Sequence, residues 1–294
     1  MATNKNTTFL VDLKELFKAI VLISNVLPVL AGFSASLYFA GVSFASHWDD
    51  FILTLLGSTL VMGGALVINN WYDVDIDRIM ERTQKRPTVT GHFSLKKVLA
   101  AGILLSILGF ILLWFTTLEA TIYAFIGWFT YVVLYTMWSK RKFALNTVIG
   151  SVSGAVTPLI GWAAIQPADH IVPVMLFLVL FMWQMPHTFV IAIRKFDEYK
   201  AAKVPMLPVV YGFAMTKRQT VVYIACLLPL PFFLTAALGT TFVVIATILN
   251  LGFLALAISG FFEKNLLKWA RRMFLYSVNY VVIFFLLVVG VTLL

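Results

Sequence analysis

Nine apolar runs, each near the length that crosses a bilayer, recur along this chain of 294 residues. They fall at about Phe17–Ala40, Phe51–Asn70, Val98–Thr116, Ala120–Trp138, Leu145–Ile165, Ile171–Ile193, Val221–Leu238, Phe242–Phe262 and Met273–Leu294. A helix needs about 20 apolar residues to span the hydrocarbon core. The runs are continuously apolar, not alternating as in an outer-membrane barrel. Helices are the form that satisfies such a backbone in lipid. Charged residues make up only 12% of the chain, against about 25% in a soluble domain. The sequence therefore predicts an all-α polytopic membrane protein and excludes both an ordinary soluble enzyme and a disordered chain.

The basic residues sort by connection. Lys5, Lys14 and Lys18 precede the first run. The rest follow runs two, four, six and eight, and together these positions hold all 22 Lys and Arg. The alternate connections carry none, and hold Asp49, Asp50, Glu119 and Asp169 instead. By the positive-inside rule the N-terminus is cytosolic and the C-terminus lies on the outer side. An odd number of spans preserves this segregation. The net charge of +9 thus records topology and is no signature of nucleic-acid binding. The lone Cys226 offers neither a disulfide nor a zinc spacing. The acids Asp12 and Glu15 and the long first run read as a retained span, not a secretory signal. A single integral-membrane domain over residues 1–294 is expected. It has an N-terminal cytosolic segment (1–16) and two long cytosolic loops, at about 72–97 and 194–220.

The first long loop opens on INNWYDVDIDRIMERTQKRP, residues 68–87. Asn69, Asp73 and Asp77 are spaced four apart and share one face of a helix, while Asp75 points to the opposite side. Two carboxylates on one face at a helix C-terminus repel each other and oppose the helix dipole. They need compensation. Arg78, Arg82 and Arg86 could supply it as a solvated acidic turn. A hard divalent cation could also do so, since Mg²⁺ takes one or two carboxylates together with substrate phosphates. Carboxylates at a membrane boundary favour the cation site, with the following basic residues left for phosphate oxygens.

N-x-x-x-D-x-x-x-D ending a second span of nine resembles the UbiA-type intramembrane prenyltransferases. Further motifs extend the likeness across almost the whole chain. They are MERTQKRP (80–87), YTMWSKR (135–141), Asn146 with Gly150, GAVTPLIGW (154–162), WQMPH (183–187) and PMLP (205–208). A single Asp197 before PMLP, with no acid at 201, is similar to the haem-accepting branch of that family. The resemblance implies the UbiA-type fold, nine helices around a central cavity open to the cytosolic side. It implies transfer of a farnesyl group from farnesyl diphosphate to haem B with Mg²⁺ as cofactor, in a bacterial plasma membrane. Membrane lipid surrounds the protein, and haem A synthase or haem-copper oxidase assembly lies downstream.

The resemblance also distributes roles. Asp73, Asp77 and Asp197 hold the metal, assisted by Asn69. Arg78, Arg82, Arg86, Lys140 and Arg141 meet the diphosphate, and Asn146 orients it or a metal-bound water. Trp183, Gln184 and His187 face the acceptor. Pro186 is expected to break the helix beside His187, and irregular backbone at membrane depth is tolerated where it lines a cavity. Gly150, Gly154 and Gly161 either permit close helix packing or make room for a flat acceptor.

A quinone precursor or other aromatic acceptor, a cation-coupled transporter and a non-catalytic assembly role stay open at this level. Transporters bind ions near the midplane, whereas these acids lie at the boundary. The topology is checked with alkaline phosphatase fusions. A fusion after Leu294 is expected to be active and one after Lys142 inactive; the reverse pattern would overturn the orientation.

Overall fold

The computed structural model describes residues 5–293, with side chains from Phe9 onward. Residues 1–4 of the N-terminal segment, and Leu294 at the end of the ninth run, lie outside the described residues. The order is α1 (Lys5–Leu16), α2 (Ala19–Ala40), α3 (Trp48–Tyr72), α4 (Val74–Ile79), α5 (Pro87–Thr90), α6 (Leu95–Trp114) and α7 (Leu118–Phe129). It continues with α8 (Asn146–Ala155), α9 (Thr157–Ala163), α10 (Ile171–Arg194), α11 (Phe196–Ala201), α12 (Leu207–Ala225), α13 (Thr235–Ser259) and α14 (Leu266–Leu293). Among the described residues there is no strand. The expected loops are thus largely helical: α4 and α5 occupy the first, and α11 with the start of α12 the second.

Seven continuous segments are long and apolar enough to cross a membrane. They account for eight of the nine runs, all but the fifth. One of them, Leu207–Ser259, has 53 residues, or about 80 Å as a single helix, far beyond one crossing. It turns at Pro229 and Pro231 and again at Gly239, whose φ of 81° only glycine adopts freely. The seventh run begins well before the expected Val221, after a kink at Gly212. Lys217 and Arg218 fall inside this helix. The Lys217 ammonium reaches the Gly260 carbonyl at 2.7 Å, so its charge leaves the apolar layer while its stem stays.

The fifth run is the other exception. It splits into α8 and α9 at Val156, next to Pro158, which cannot continue the backbone ladder. α9 then lies against α2 with the backbones in contact. A Cβ on Gly161 would overlap the Val29 carbonyl, and one on Gly32 would overlap the Pro158 carbonyl. Ser36 adds a hydrogen bond to the Trp162 carbonyl at 2.9 Å, and Trp162 is fully buried. The alternatives for the span-five glycines therefore divide. Gly161 serves packing, while Gly150 and Gly154 line an internal cavity.

The main core joins α2, α9, α10, α12, α13 and α14, with Trp269, Tyr280, Phe253 and Phe284 buried at its centre. Gly161→Val forces α2 and α9 apart. It is expected to cost about 3 kcal/mol by overpacking and to lower the melting temperature in detergent. An unchanged melting temperature would contradict the close crossing.

Candidate functional site

α3 ends at Tyr72, and Asp73 leaves helical geometry as its cap (φ −90°, ψ 11°) before α4 begins. The helical register nevertheless survives the break. The Asp73 N–H donates to the Asn69 carbonyl at 2.9 Å, and the Asp77 N–H to the Asp73 carbonyl at 2.8 Å. Asn69, Asp73 and Asp77 therefore stack as the spacing predicts, and all three are buried. Asn69 Nδ2 donates to Asp73 Oδ2 at 2.8 Å and to Thr136 Oγ1 at 2.9 Å. Asp75 turns outward to the surface.

Basic groups surround the pair. Arg86 Nη1 contacts Asp77 Oδ2 at 2.5 Å, both side chains being nearly inaccessible. Lys140 Nζ pairs with Asp73 Oδ2. Arg141 forks onto both oxygens of Asp75 at 2.7 and 2.8 Å and reaches Asp73 Oδ1 at 3.4 Å. Burial works against the Lys140 ammonium, but the Asp73 carboxylate outweighs it, and the pKa ends above the ordinary lysine value. The Arg141 hydrogen bonds hold Asp75 below the usual carboxylate range. The expectation that these bases are reserved for phosphate oxygens is therefore corrected: Arg86, Lys140 and Arg141 already contact the acids. They keep spare capacity even so. The buried Nε–H groups of Arg86 and Arg141 have no acceptor among the described residues.

Lys140 and its neighbours reach this place through an unusual winding. Thr130–Ser139 is π-helical, and the Lys140 N–H bonds the Tyr135 carbonyl five residues back at 2.9 Å. On an α-helix, Tyr131 and Lys140 would sit on opposite sides. With i→i+5 bonds a turn takes more than four residues, so Tyr131, Tyr135 and Lys140 share one face. The Lys140 ammonium lies 5.9 Å from the Tyr135 ring centroid.

That face opens into a cavity with about 1010 Å³ of unfilled space, the open space outside it included. Tyr131, Tyr135, Gly150, Gly154, Gln184 and Thr188 stand on its wall. A buried carboxylate pair thus sits beside a mostly apolar chamber, linked to it by Lys140, which pairs with Asp73 and approaches the Tyr135 ring on the cavity wall. Asp73, Asp77 and Asn69 present hard oxygen donors, and the orphaned guanidinium N–H groups suit an anion. This set fits a divalent cation carrying a phosphate ligand.

Several expected residues are not gathered there. Asp197 is exposed on α11, and no group of three metal-ligating side chains forms among the described residues. Its helix instead turns Tyr199 inward, where Tyr199 is buried. Arg78 and Arg82 are exposed and make no ion pair among the described residues. Asn146 is committed to backbone, donating to the carbonyls of Phe143 at 2.9 Å and Pro205 at 3.4 Å. It ties the start of α8 to the PMLP segment.

On α10, Gln184 and Thr188 face the cavity, while Trp183 and His187, one step around the helix, face α14. Pro186 sits inside α10, which stays helical through to Arg194. Trp183 Nε1 donates to the Ser277 carbonyl at 2.8 Å, and His187 stacks between Trp183 and Phe274. The Ser277 hydroxyl donates to the Phe274 carbonyl at 2.7 Å. Its oxygen must then accept from His187 Nδ1 at 2.8 Å, which leaves Nε2 as the lone-pair nitrogen.

One residue escaped the sequence reading. Lys18, in a left-handed conformation between α1 and α2, places its ammonium on Asn69 Oδ1. Burial, reinforced by Arg86 and Lys140, draws its pKa well below the ordinary lysine value. It counted only as a topology charge in the sequence, because nothing in a lone Lys before an apolar run signals a fold-back.

The buried pairs make a testable distinction. Asp77→Asn strands Arg86 and is expected to destabilise the protein by about 3–5 kcal/mol. Adding Arg86→Gln should restore much of the melting temperature but no catalytic turnover. Equal stability of all three proteins would contradict a buried ion pair.

The UbiA prenyltransferase family model matches residues 25–278. The chain is 56% identical to "Protoheme IX farnesyltransferase" of Oceanobacillus iheyensis, over 98% of this chain and 92% of that one. It is 50% identical to "Protoheme IX farnesyltransferase 2" of Bacillus subtilis, over 98% and 94%. Among solved structures, a digeranylgeranylglyceryl phosphate synthase aligns with a TM-score of 0.77 at 21% identity, over 96% of this chain and 98% of that one. A UbiA homolog from Archaeoglobus fulgidus bound to GPP and Mg²⁺ aligns with a TM-score of 0.73 at 14% identity, over 94% and 99%. These two share the fold. The Asp-bearing second span, the apolar chamber and the matched length agree, and the chain belongs to the UbiA prenyltransferase family.

Proposed function

We propose that this protein transfers the farnesyl group of farnesyl diphosphate to a vinyl group of haem B, with addition of water, giving haem O and diphosphate. The observation that carries prenyl transfer is the junction of the buried Asp73–Asp77 pair with the apolar cavity at Tyr135. The choice of haem B rests on the likeness to the Oceanobacillus iheyensis and Bacillus subtilis relatives over nearly the full chain. The protein is read as lying in a bacterial plasma membrane with its basic end cytosolic. Haem A synthase or haem-copper oxidase assembly would take the product.

Asp73 and Asp77, with Asn69 beside them, would hold Mg²⁺. When bound, the ion supplies positive charge to the diphosphate as its ester bond breaks. The residues of the chain do the rest. Lys140, Arg141 and Arg86 sit where charge grows on the leaving oxygens, and fixed cations there lower the barrier without reorganising. The allylic C–O bond breaks with its electron pair going to diphosphate. The vinyl π pair forms the new C–C bond. Water adds to the resulting haem-side cation and gives up a proton, which balances the reaction. The apolar cavity wall keeps water from the first cation. Gln184 and Thr188 face the acceptor from α10. His187 packs Trp183 of α10 against Phe274 of α14 and stands outside the cavity wall.

Incubation of the purified protein with haem B, farnesyl diphosphate and Mg²⁺ should give a porphyrin heavier by one farnesyl group plus one hydroxyl group. Unmodified haem, with isoprenoid transferred to a quinone precursor instead, would overturn the acceptor.

A further inference from the structure

The cavity has a definite depth. Its shallow end lies at Tyr135 and Thr147, beneath the Lys140–Asp73 pair. Its deep end is closed by Ser58 and Val61 of α3, Ala124 of α7 and Ile160 of α9. Val61, Ala124 and Ile160 belong to one packed cluster, backed by Leu113, which is fully buried. The floor is therefore solid rather than a gap into lipid.

The depth follows from α3. Asn69, at the carboxylates, and Ser58, at the floor, are eleven residues apart, or about 16 Å along the helix. Extended chains advance about 1.3 Å per bond, judged from the three-bond step of about 3.8 Å in a trans backbone. A farnesyl main chain has eleven carbon–carbon bonds, about 14 Å on that scale, and fits. A geranylgeranyl main chain has fifteen, about 19 Å, and meets the floor. A geranyl chain has seven, about 9 Å, and leaves the deep end unfilled. A void beside the floor forfeits contact and burial.

We propose that Ala124, with Ser58 and Ile160, selects the length of the prenyl chain by fixing the cavity floor. The inference rests on the prenyl-transfer reading above and deepens it, naming what limits its donor. Ala124 is the pivotal position. It is the smallest of the floor side chains and lines the cavity from within the packed cluster, so enlarging it raises the floor.

The test is acceptor-free binding, by calorimetry, of geranyl, farnesyl and geranylgeranyl diphosphates to the purified protein in Mg²⁺. The wild type should bind the farnesyl compound most tightly. Ala124→Leu should weaken farnesyl binding at least about tenfold, the scale on which apolar pockets discriminate, while geranyl binding changes less than about twofold. Ser58→Leu, from a different helix, should do the same. Ile160→Ala should strengthen geranylgeranyl binding. Equal weakening of geranyl and farnesyl compounds by both leucine variants, at an unchanged melting temperature, would overturn the floor assignment alone. Unchanged farnesyl binding in both would overturn it too. A wild type that binds none of the three diphosphates would overturn the prenyl-transfer reading along with it.

Discussion

The structure turns on charge held at the edge of the apolar layer. Asp73 and Asp77 are buried, and Lys18, Arg86 and Lys140 are packed around them. Charges removed from water are costly unless paired, and a group left without its partner costs several kcal/mol. The start of α2, the end of α3 and the end of the π-helical stretch Thr130–Ser139 are therefore held together by one buried network. Four basic side chains, Lys18, Arg86, Lys140 and Arg141, meet three carboxylates, Asp73, Asp75 and Asp77, and two guanidinium N–H groups stay unsatisfied. On the proposed reading, a diphosphate arriving with its cation would replace one set of counter-charges by another.

Local departures from regular helix deliver the parts of this network. The cap geometry at Asp73 lets the chain leave the membrane while Asp77 stays stacked beneath it. The π-helical stretch rotates Lys140 onto the same face as Tyr131 and Tyr135, so one element both lines the cavity and neutralises the carboxylate beside it. The break between α8 and α9 gives α8 to the cavity and α9 to α2. Each irregularity costs some backbone hydrogen bonding. Such irregularity survives in a membrane only where protein or a polar cavity meets the freed groups.

The same irregularities explain what was legible in the sequence. Hydropathy located the runs, and the helical spacing of Asn69, Asp73 and Asp77 survived a cap that the sequence does not announce. Lys140 and Arg141 were found by motif, but their pairing with the acids was not, because it depends on a π-helix that ordinary residues such as Thr130–Ser139 can form. Trp183 and His187 turn to α14 and not to the cavity for a different reason. A four-residue period defines faces of a helix without saying which face meets the cavity, so Gln184–Thr188 and Trp183–His187 are equivalent until the neighbours of α10 are known. Asp197 and Tyr199 exchange places on α11 by the same ambiguity, since in a short exposed helix no apolar stripe fixes which side turns in.

Lys18 carries this argument furthest. Its left-handed backbone, with φ of 47°, is an uncommon state for a residue with a side chain. It persists because the surroundings determine it: α1 must fold back over the basic end, and the Asn70 amide holds the Leu16 carbonyl at 2.6 Å. Asn69 and Asn70 therefore divide one task. The first binds the Lys18 ammonium and Asp73, and the second anchors the helix that precedes Lys18. The N-terminal helix is thereby coupled to the carboxylate cluster through adjacent amides at the end of α3. A segment that reads from sequence as a topology signal thus completes the wall of the charged site.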